Sequence, residues 1–111
     1  MVKPIPKSLL IHSAELFEVK ENSWQSEQRT LTAQLSFIRI GPTSRLVVGK
    51  ENRSEELSAV LFYDCRNSRP KAVEFFEGQR VEFGGKTYRV QTVDRIYDDK
   101  RLHHYEVGLC Q

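Results

Sequence analysis

The clearest pattern in the chain is an alternation of apolar and polar residues near its centre. The stretch TLTAQLSF places every second side chain, from Leu31 to Phe37, on one face. Side chains two positions apart share a face of a strand, so we predict a half-buried antiparallel strand here. The strand continues to Ile40 and ends at Gly41-Pro42, because glycine and proline interrupt regular structure.

Four other segments in the first two thirds of the chain are assigned by the same reasoning. A strand is favoured over a helix for residues 9–19, LLIHSAELFEV, because no N-cap precedes a wide apolar stripe. Residues 20–28 are polar and are expected to form a loop. A nearly continuous apolar run at residues 57–65, LSAVLFYDC, predicts a strand buried on much of both faces. Residues 66–72 are polar again and predict a turn.

The strongest turn signal lies in the C-terminal third. Residues 81–90 read VEFGGKTYRV, with two adjacent glycines between short apolar alternations. Glycine supplies the positive φ that a tight hairpin needs. We therefore predict an antiparallel hairpin that turns at Gly84-Gly85.

The alternation slips after this hairpin and then resumes. The slip predicts a β-bulge near residues 92–94. A turn is predicted at residues 98–101, which read DDKR. The last strand follows, with Tyr105, Val107 and Leu109 on one face.

Together these elements predict a single all-β domain over residues 1–111. Five or six strands, with no helix longer than two turns, must close or cover their sheet because open edges invite aggregation. We therefore predict a small antiparallel β-barrel or a tight sandwich with one long irregular loop. Ten side chains are expected to be mostly buried: Leu31, Leu35, Phe37, Leu61, Val81, Phe83, Tyr88, Val90, Tyr105 and Val107.

Two segments stand apart from the predicted strands. Residues 1–8 contain Pro4 and Pro6, which block helix and weaken strand pairing, so an extended N-terminal arm is expected. Residues 41–56, GPTSRLVVGKENRSEE, contain three structure-breaking residues and balanced charge. Such a long connection is unusual in a small domain and is typically functional or disordered. We expect residues 41–56 to form a mobile loop.

Composition and charge narrow the classes of function. Seventeen basic and fifteen acidic side chains give a net charge of +2, which does not by itself indicate nucleic-acid binding. No apolar run is long enough for a membrane span, and the N-terminal run is too short for a secretory signal, so cytoplasmic assembly is expected. In a reducing cytoplasm Cys65 and Cys110 would stay thiols.

Candidate chemistry in the sequence is sparse. His103 and His104 are neighbours on a predicted strand, so their rings should point to opposite faces and not converge on one metal, whereas His104 and Glu106 share a face. The Gly-Gly-Lys at residues 84–86 lacks the rest of a phosphate loop, and the acids at 98–99 lack calcium-loop spacing. We expect no catalytic site, metal or cofactor.

Aromatic side chains offer a further possibility, because they can stack on single-stranded nucleic acid. In a barrel of this size such residues are usually core, and basic residues are not interleaved with them in excess. The candidates are Phe62, Tyr63, Phe75, Phe76 and Tyr97.

Three stretches are also familiar as sequences. They are KPIPKSLLIHSAEL at residues 3–16, AVLFYDCRNSRPKAVEFFEGQRVEFGGKTYRVQTVDRIYD at 59–98 and LHHYEVGLC at 102–110, and together they span about 65 of the 111 residues. They resemble a family of phage minor capsid proteins that is similar in design to the head-completion, or stopper, proteins of siphophages.

The resemblance implies a small β-barrel without enzymatic activity or cofactor. It also implies a ring of copies in the virion below the portal and adaptor, with the tail docking on its outer face. A long loop of each copy would project into the channel and help retain the packaged double-stranded DNA. By position, residues 41–56 correspond to that loop, and its candidate channel or inter-subunit residues are Arg45, Leu46, Val47, Val48, Lys50 and Arg53.

Three alternatives stay open at the level of sequence. One is a tail-completion or joining protein with a similar barrel but a different neighbour. Another is a small-barrel nucleic-acid-binding module, whose binding would weaken steeply with salt. The third is an accessory domain of an enzyme, which would need a hydrophobic docking face.

Overall fold

The protein is built almost entirely of β-strands. The computed structural model describes residues 3–21, 27–48 and 54–111. A short 3-10 helix at Lys7–Leu9 precedes eight strands. These are β1 (His12–Glu21), β2 (Glu27–Pro42), β3 (Leu46–Val48), β4 (Ser54–Glu56), β5 (Ala59–Asp64), β6 (Arg80–Phe83), β7 (Lys86–Asp98) and β8 (Arg101–Cys110).

Six of the strands form a closed antiparallel barrel in the order β1-β2-β5-β8-β7-β6. The pairing of β6 with β1, centred on Leu16 opposite Val81, closes the ring. Strands β3 and β4 form a separate two-stranded sheet. The predicted all-β barrel is therefore confirmed, and closure removes the open edges that a small sheet would otherwise expose.

Inward-facing side chains from all six barrel strands fill the interior. Phe75 comes from the connection between β5 and β6 and is fully buried. Its ring meets Tyr63 and Tyr105 edge-on, with ring centroids 5.6 and 5.1 Å apart. Such edge-to-face contacts add to the free energy gained by burial alone. The connection thus contributes directly to the core.

The hairpin predicted at residues 81–90 is confirmed. Strand β6 pairs with β7 from Val81 opposite Tyr88 to Phe83 opposite Lys86. Gly84 and Gly85 form the turn with φ of 60° and 79°. Positive φ at both central residues matches the twist of the flanking strands.

The predicted bulge is displaced slightly toward the N-terminus. The register between β7 and β8 shifts between Val90 and Thr92, and again between Ile96 and Tyr97. The turn at residues 98–101 is confirmed, since Asp98 pairs with Arg101 across it. Bulges of this kind let a short barrel bend its strands.

Most of the predicted core is confirmed, but Leu31 and Phe37 are wrong. Leu31 is 46% exposed and Phe37 is 43% exposed. The register of β1 with β2 shifts at two points, so single residues are inserted between inward-facing ones. Because side chains alternate, one extra residue reverses the face of its neighbours. Of the other eight, Phe83 and Tyr88 are half-buried and six are buried: Leu35, Leu61, Val81, Val90, Tyr105 and Val107.

Three predicted loops differ from the structure. Strands β1 and β2 extend into both ends of the polar segment 20–28, whose residues 22–26 lie outside the described residues. The N-terminal arm is extended only until Pro6, where a 3-10 turn begins with Leu9 N–H bonded to the Pro6 carbonyl at 2.9 Å. Segment 41–56 includes β3 and β4, so the described part of the predicted irregular loop is regular structure.

Candidate assembly surfaces

Strands β3 and β4 prolong the barrel hairpin formed by β2 and β5. Pro42 pairs with Ala59 at the barrel rim. Beyond it, Thr43 N–H donates to the Ser58 carbonyl at 3.1 Å and Leu57 N–H donates to the Arg45 carbonyl at 2.8 Å. The β3–β4 pairing follows at once. We call residues 43–48 and 54–58 the ribbon, since they form one continuous two-stranded extension of the barrel.

The ribbon has two different faces. Val47 and Glu55 are half-buried and opposite each other, and Glu55 forms an ion pair with Arg89 of β7 at 2.9 Å. Leu46 and Val48 lie on the other face, 68% and 73% exposed. Alternation along a strand explains this division. The outer ribbon face is therefore defined by Leu46, Val48 and their cross-strand partners Glu56 and Ser54.

The structure thus separates the candidate residues of this segment. Leu46 and Val48 are together on the outer ribbon face, whereas Val47 lies on the face turned to the barrel. Arg45 is exposed at the base of the ribbon. Lys50 and Arg53 lie outside the described residues. Leu46, Val47 and Val48 therefore belong to two different surfaces, although they are adjacent in the sequence.

The root of the ribbon is packed tightly against the outside of β8. Leu57 is fully buried. A methyl group at Gly108 would lie 2.9 Å from Leu57 Cδ1 and would overlap the Thr92 hydroxyl. Only glycine leaves room for Leu57 at this point. The direction of the ribbon is consequently fixed by packing at its base.

A second exposed apolar surface lies on β2, where the sequence predicted core. Phe37 is the extra residue of a bulge and has a φ of 54°. Leu9 and Ile11 are also exposed, and Lys7 Nζ lies 4.9 Å from the Phe37 ring centroid. Arg39 Nη1 donates to the Leu9 carbonyl at 3.3 Å. We call these five residues the Phe37 patch.

The bulge that exposes Phe37 is held by the turn at residues 66–72. Ser36 and Arg69 exchange two backbone hydrogen bonds of 2.9 Å. The buried Ser68 hydroxyl donates to the Phe37 carbonyl. Aside from the adjacent apolar pair Phe37-Ile38, which breaks the alternation, nothing in the sequence points to this bulge. Contacts from a distant turn fix it.

The N-terminal arm is docked on the barrel. The fully buried Asp64 carboxylate accepts the Ile5 N–H at 3.0 Å. The same carboxylate accepts the N–H groups of Arg66 and Asn67, at 3.1 and 2.8 Å. Asn67 Nδ2 donates in turn to the Ile5 carbonyl at 2.7 Å. Asp64 therefore joins the arm, the end of β5 and the following turn.

The two adjacent histidines meet, contrary to the sequence expectation. Their Nδ1 atoms are 2.7 Å apart, although the residues are neighbours on β8. The other ring nitrogens also have partners, since His103 Nε2 contacts the Lys3 carbonyl at 2.7 Å and His104 Nε2 contacts Glu106 at 2.8 Å. The expected shared face of His104 and Glu106 is confirmed. Within residues 3–21, 27–48 and 54–111, no group of three or more His, Cys, Asp or Glu side chains could hold a metal ion.

Cys65 and Cys110 do not pair with each other. Burial raises the pKa of the Cys65 thiol above its ordinary value, and the negative charge of Asp64 adds to this rise. Lys71 opposes it. A thiol with a raised pKa is mostly protonated near neutral pH and is a poor nucleophile.

An open cleft of about 940 Å³ lies between the arm, the turn after β5 and the β7–β8 turn. It has a mixed charge, and its charged lining residues are Asp64, Arg66, Lys71, Asp98, Asp99, Lys100, Arg101 and His103. A lining that mixes acidic and basic side chains does not favour the binding of a highly charged anion. The cleft has no arrangement typical of a catalytic site.

The aromatic residues considered for nucleic-acid stacking do not form one surface. Tyr63 and Phe75 are buried in the core, as expected of a small barrel. Phe62 is half-buried and its ring lies 6.5 Å from that of His104. Phe76 and Tyr97 are exposed.

Comparison with known proteins identifies the family. A family model described as minor capsid protein matches residues 6–109. The chain belongs to this phage minor capsid protein family. The matched range includes the barrel, the ribbon and the Phe37 patch.

Membership gives the general role of the chain. It is a structural component of the phage virion, where it interacts with other virion proteins. No curated protein and no solved structure matches the chain. Among the described residues, no helix is long and apolar enough to cross a membrane.

Proposed function

We propose that this minor capsid protein is a head-completion, or stopper, component of the head-to-tail connector. Copies form a ring below the portal and adaptor, and the tail docks on the opposite side. Assembly takes place in the cytoplasm of the bacterial host. A closed barrel supports this role because it supplies a rigid body without exposed edges, from which longer elements can contact neighbours.

The ribbon is the observation on which the proposal rests. It continues β2 and β5 beyond the rim of the barrel, and its root is fixed by Leu57 against Gly108. The ribbon exposes Leu46 and Val48 on one face, and contiguous exposed apolar surface typically marks protein contacts. We therefore assign the ribbon to the channel side of the ring, where it helps retain the packaged DNA.

The charge of the ribbon suits passive contact with double-stranded DNA. Its described charged residues are Arg45, Glu55 and Glu56, and Glu55 is already paired with Arg89. A strongly basic wall would bind phosphates tightly and oppose passage of the genome. A nearly neutral element obstructs the channel without binding the DNA.

The location is tested by imaging particles. Gold-labelled antibody against the chain should mark a single vertex of the head, at the junction with the tail. Particles that lack the protein should contain portal but should not join tails. Label distributed over all capsid faces would contradict the connector role, although the protein would still be a minor capsid component.

Retention of DNA is tested by excising the ribbon. Residues 46–56 are replaced by an Asn-Gly turn, because Arg45 and Leu57 are already hydrogen-bonded and can flank a two-residue hairpin turn. Tail-less heads assembled with the variant should hold less nuclease-protected DNA than wild-type heads do. Equal amounts of DNA in both would exclude a gating role for the ribbon.

A further inference from the structure

Two exposed surfaces of the chain are complementary in composition. The outer ribbon face presents two aliphatic side chains and the carboxylate of Glu56. The Phe37 patch presents three apolar side chains, Leu9, Ile11 and Phe37, together with two cations. Neither surface is covered by any other part of the chain that the structure describes. Apolar surfaces with opposite charges at their borders favour each other over random contacts.

The cations of the Phe37 patch are available to an incoming carboxylate. Lys7 lies over the Phe37 ring, and within the described part of the chain Arg39 bonds only the Leu9 carbonyl, through Nη1. Along this register of the sheet the next acidic side chain is Glu106, which already pairs with His104. The charge of the patch is therefore positive, and that of the outer ribbon face is negative.

The backbone of Phe37 is an independent indication that this surface has a use. An aromatic L-residue at a φ of 54° is strained, and glycine or asparagine would be favoured there. The bonds of Ser36 and Ser68 with their partners maintain this conformation. Strain that a structure maintains while it exposes a large apolar ring is typical of contact sites.

The two surfaces of one chain cannot meet each other. Phe37 and Leu46 are nine positions apart on one strand of a hairpin whose backbone hydrogen bonds keep it extended, so they lie about 30 Å apart. Contact between them therefore requires a second copy. Because the two surfaces differ, the contact is head-to-tail, and a head-to-tail contact closes into a ring when its rotation allows.

We propose that the outer ribbon face of one copy docks on the Phe37 patch of the next copy. The inference rests on the proposed function only in that it takes the chain to assemble into a ring. Leu46 and Val48 pack against Leu9, Ile11 and Phe37, while Glu56 approaches Lys7 and Arg39. Each copy thus uses its ribbon on one side and its patch on the other.

Disulfide trapping between two different variants tests this pairing. Both variants have Cys65→Ala and Cys110→Ala, and each must unfold in one cooperative transition near that of the wild type. One then has Val48→Cys and the other Ile11→Cys. Mixed at millimolar concentration under mild oxidation, they should form the mixed disulfide at least ten times faster than either forms its own dimer. Lys86→Cys, exposed on the β6–β7 hairpin, replaces Ile11→Cys as the control.

Charge reversal across the two chains sharpens the result. Glu56→Lys in the Val48→Cys chain, or Arg39→Glu in the Ile11→Cys chain, should each slow trapping several-fold. Both changes together should restore it, because the opposite charges are again paired. A restored trapping rate identifies the electrostatic contact between the two chains. Variants that had lost their fold would not regain the rate when combined.

Three outcomes would overturn the inference. The first is a mixed disulfide that forms equally fast with the Lys86→Cys control. The second is a Val48→Cys homodimer that forms faster than the mixed disulfide, and the third is the absence of any mixed disulfide. Any of these would leave the connector role intact if labelling still places the protein at the tail vertex. Conversely, strong trapping with label on all capsid faces would retain the pairing and exclude the connector.

Discussion

Six described residues of this protein have a positive φ, and Gly84, Gly85 and Phe37 adopt it at different cost. Gly84 and Gly85 turn the β6–β7 hairpin at positive φ, where glycine is not strained. Phe37 has a φ of 54° and is strained. The turn is thus encoded by its own residues, whereas the bulge depends on Ser36, Arg69 and Ser68.

The glycine turn gives a prediction at the scale of single residues. Gly84→Val or Gly85→Val should each lower the free energy of unfolding by about 1 kcal/mol or more, because a β-branched residue resists positive φ. Urea unfolding followed by circular dichroism measures this change. Thr87→Val, an exposed β-branched replacement two positions beyond the turn, should have little effect. Unchanged midpoints for both glycine variants would contradict the turn.

At the scale of elements, packing at the base of the ribbon fixes the direction in which the ribbon leaves the barrel. Beyond the barrel rim the two strands are held by their own ladder, by the Glu55–Arg89 ion pair and by Leu57. An ion pair at the surface contributes little, so the burial of Leu57 against Gly108 provides most of the attachment. The direction of the ribbon should therefore be sensitive to Gly108.

A substitution at Gly108 tests this attachment. Gly108→Ala should destabilise the protein by about 1–3 kcal/mol, because the added methyl group overlaps Thr92 and crowds Leu57. Thermal unfolding measures the loss. Gly41→Ala is the matched control, since that glycine has open space around it and no positive φ. Equal unfolding temperatures for the two alanine variants would contradict the close packing of Leu57 against β8.

At the scale of the whole molecule, the surface combines a weak net charge with two exposed apolar surfaces, the outer ribbon face and the Phe37 patch. The net charge is only +2, and the cleft at the arm end mixes acids with bases. The aromatic residues considered for nucleic-acid stacking do not form one exposed face, since two of them, Tyr63 and Phe75, belong to the core. These features favour protein contacts over nucleic-acid recognition.

This charge distribution predicts weak and salt-sensitive contact with DNA. Titration of a fluorescent double-stranded fragment should give detectable binding only at low salt, because few phosphates are neutralised and few counterions are released. Fluorescence anisotropy at several salt concentrations measures it. Tight binding that persists at physiological salt would instead support the nucleic-acid-binding alternative.

Elements with local signals could be predicted from neighbouring residues alone. The alternation around Leu35, the buried run before Asp64 and the two glycines at 84–85 each specify their structure through neighbouring residues. An all-β barrel or tight sandwich followed from them, because so many short strands must close or cover their sheet. The three resembling stretches also indicated the family that the comparison then established.

Which surfaces stay exposed depends on contacts between distant parts of the chain. The face of Phe37 depends on a bulge held by Ser68 and Arg69, more than thirty residues away along the chain. The position of strands β3 and β4 depends on the packing of Leu57 into the space left by Gly108. A one-residue register shift reverses a side chain's face, and distant contacts set that register. The pattern of apolar residues therefore predicts where the strands lie, but it does not predict whether a given apolar side chain is buried in the core or exposed on a contact surface.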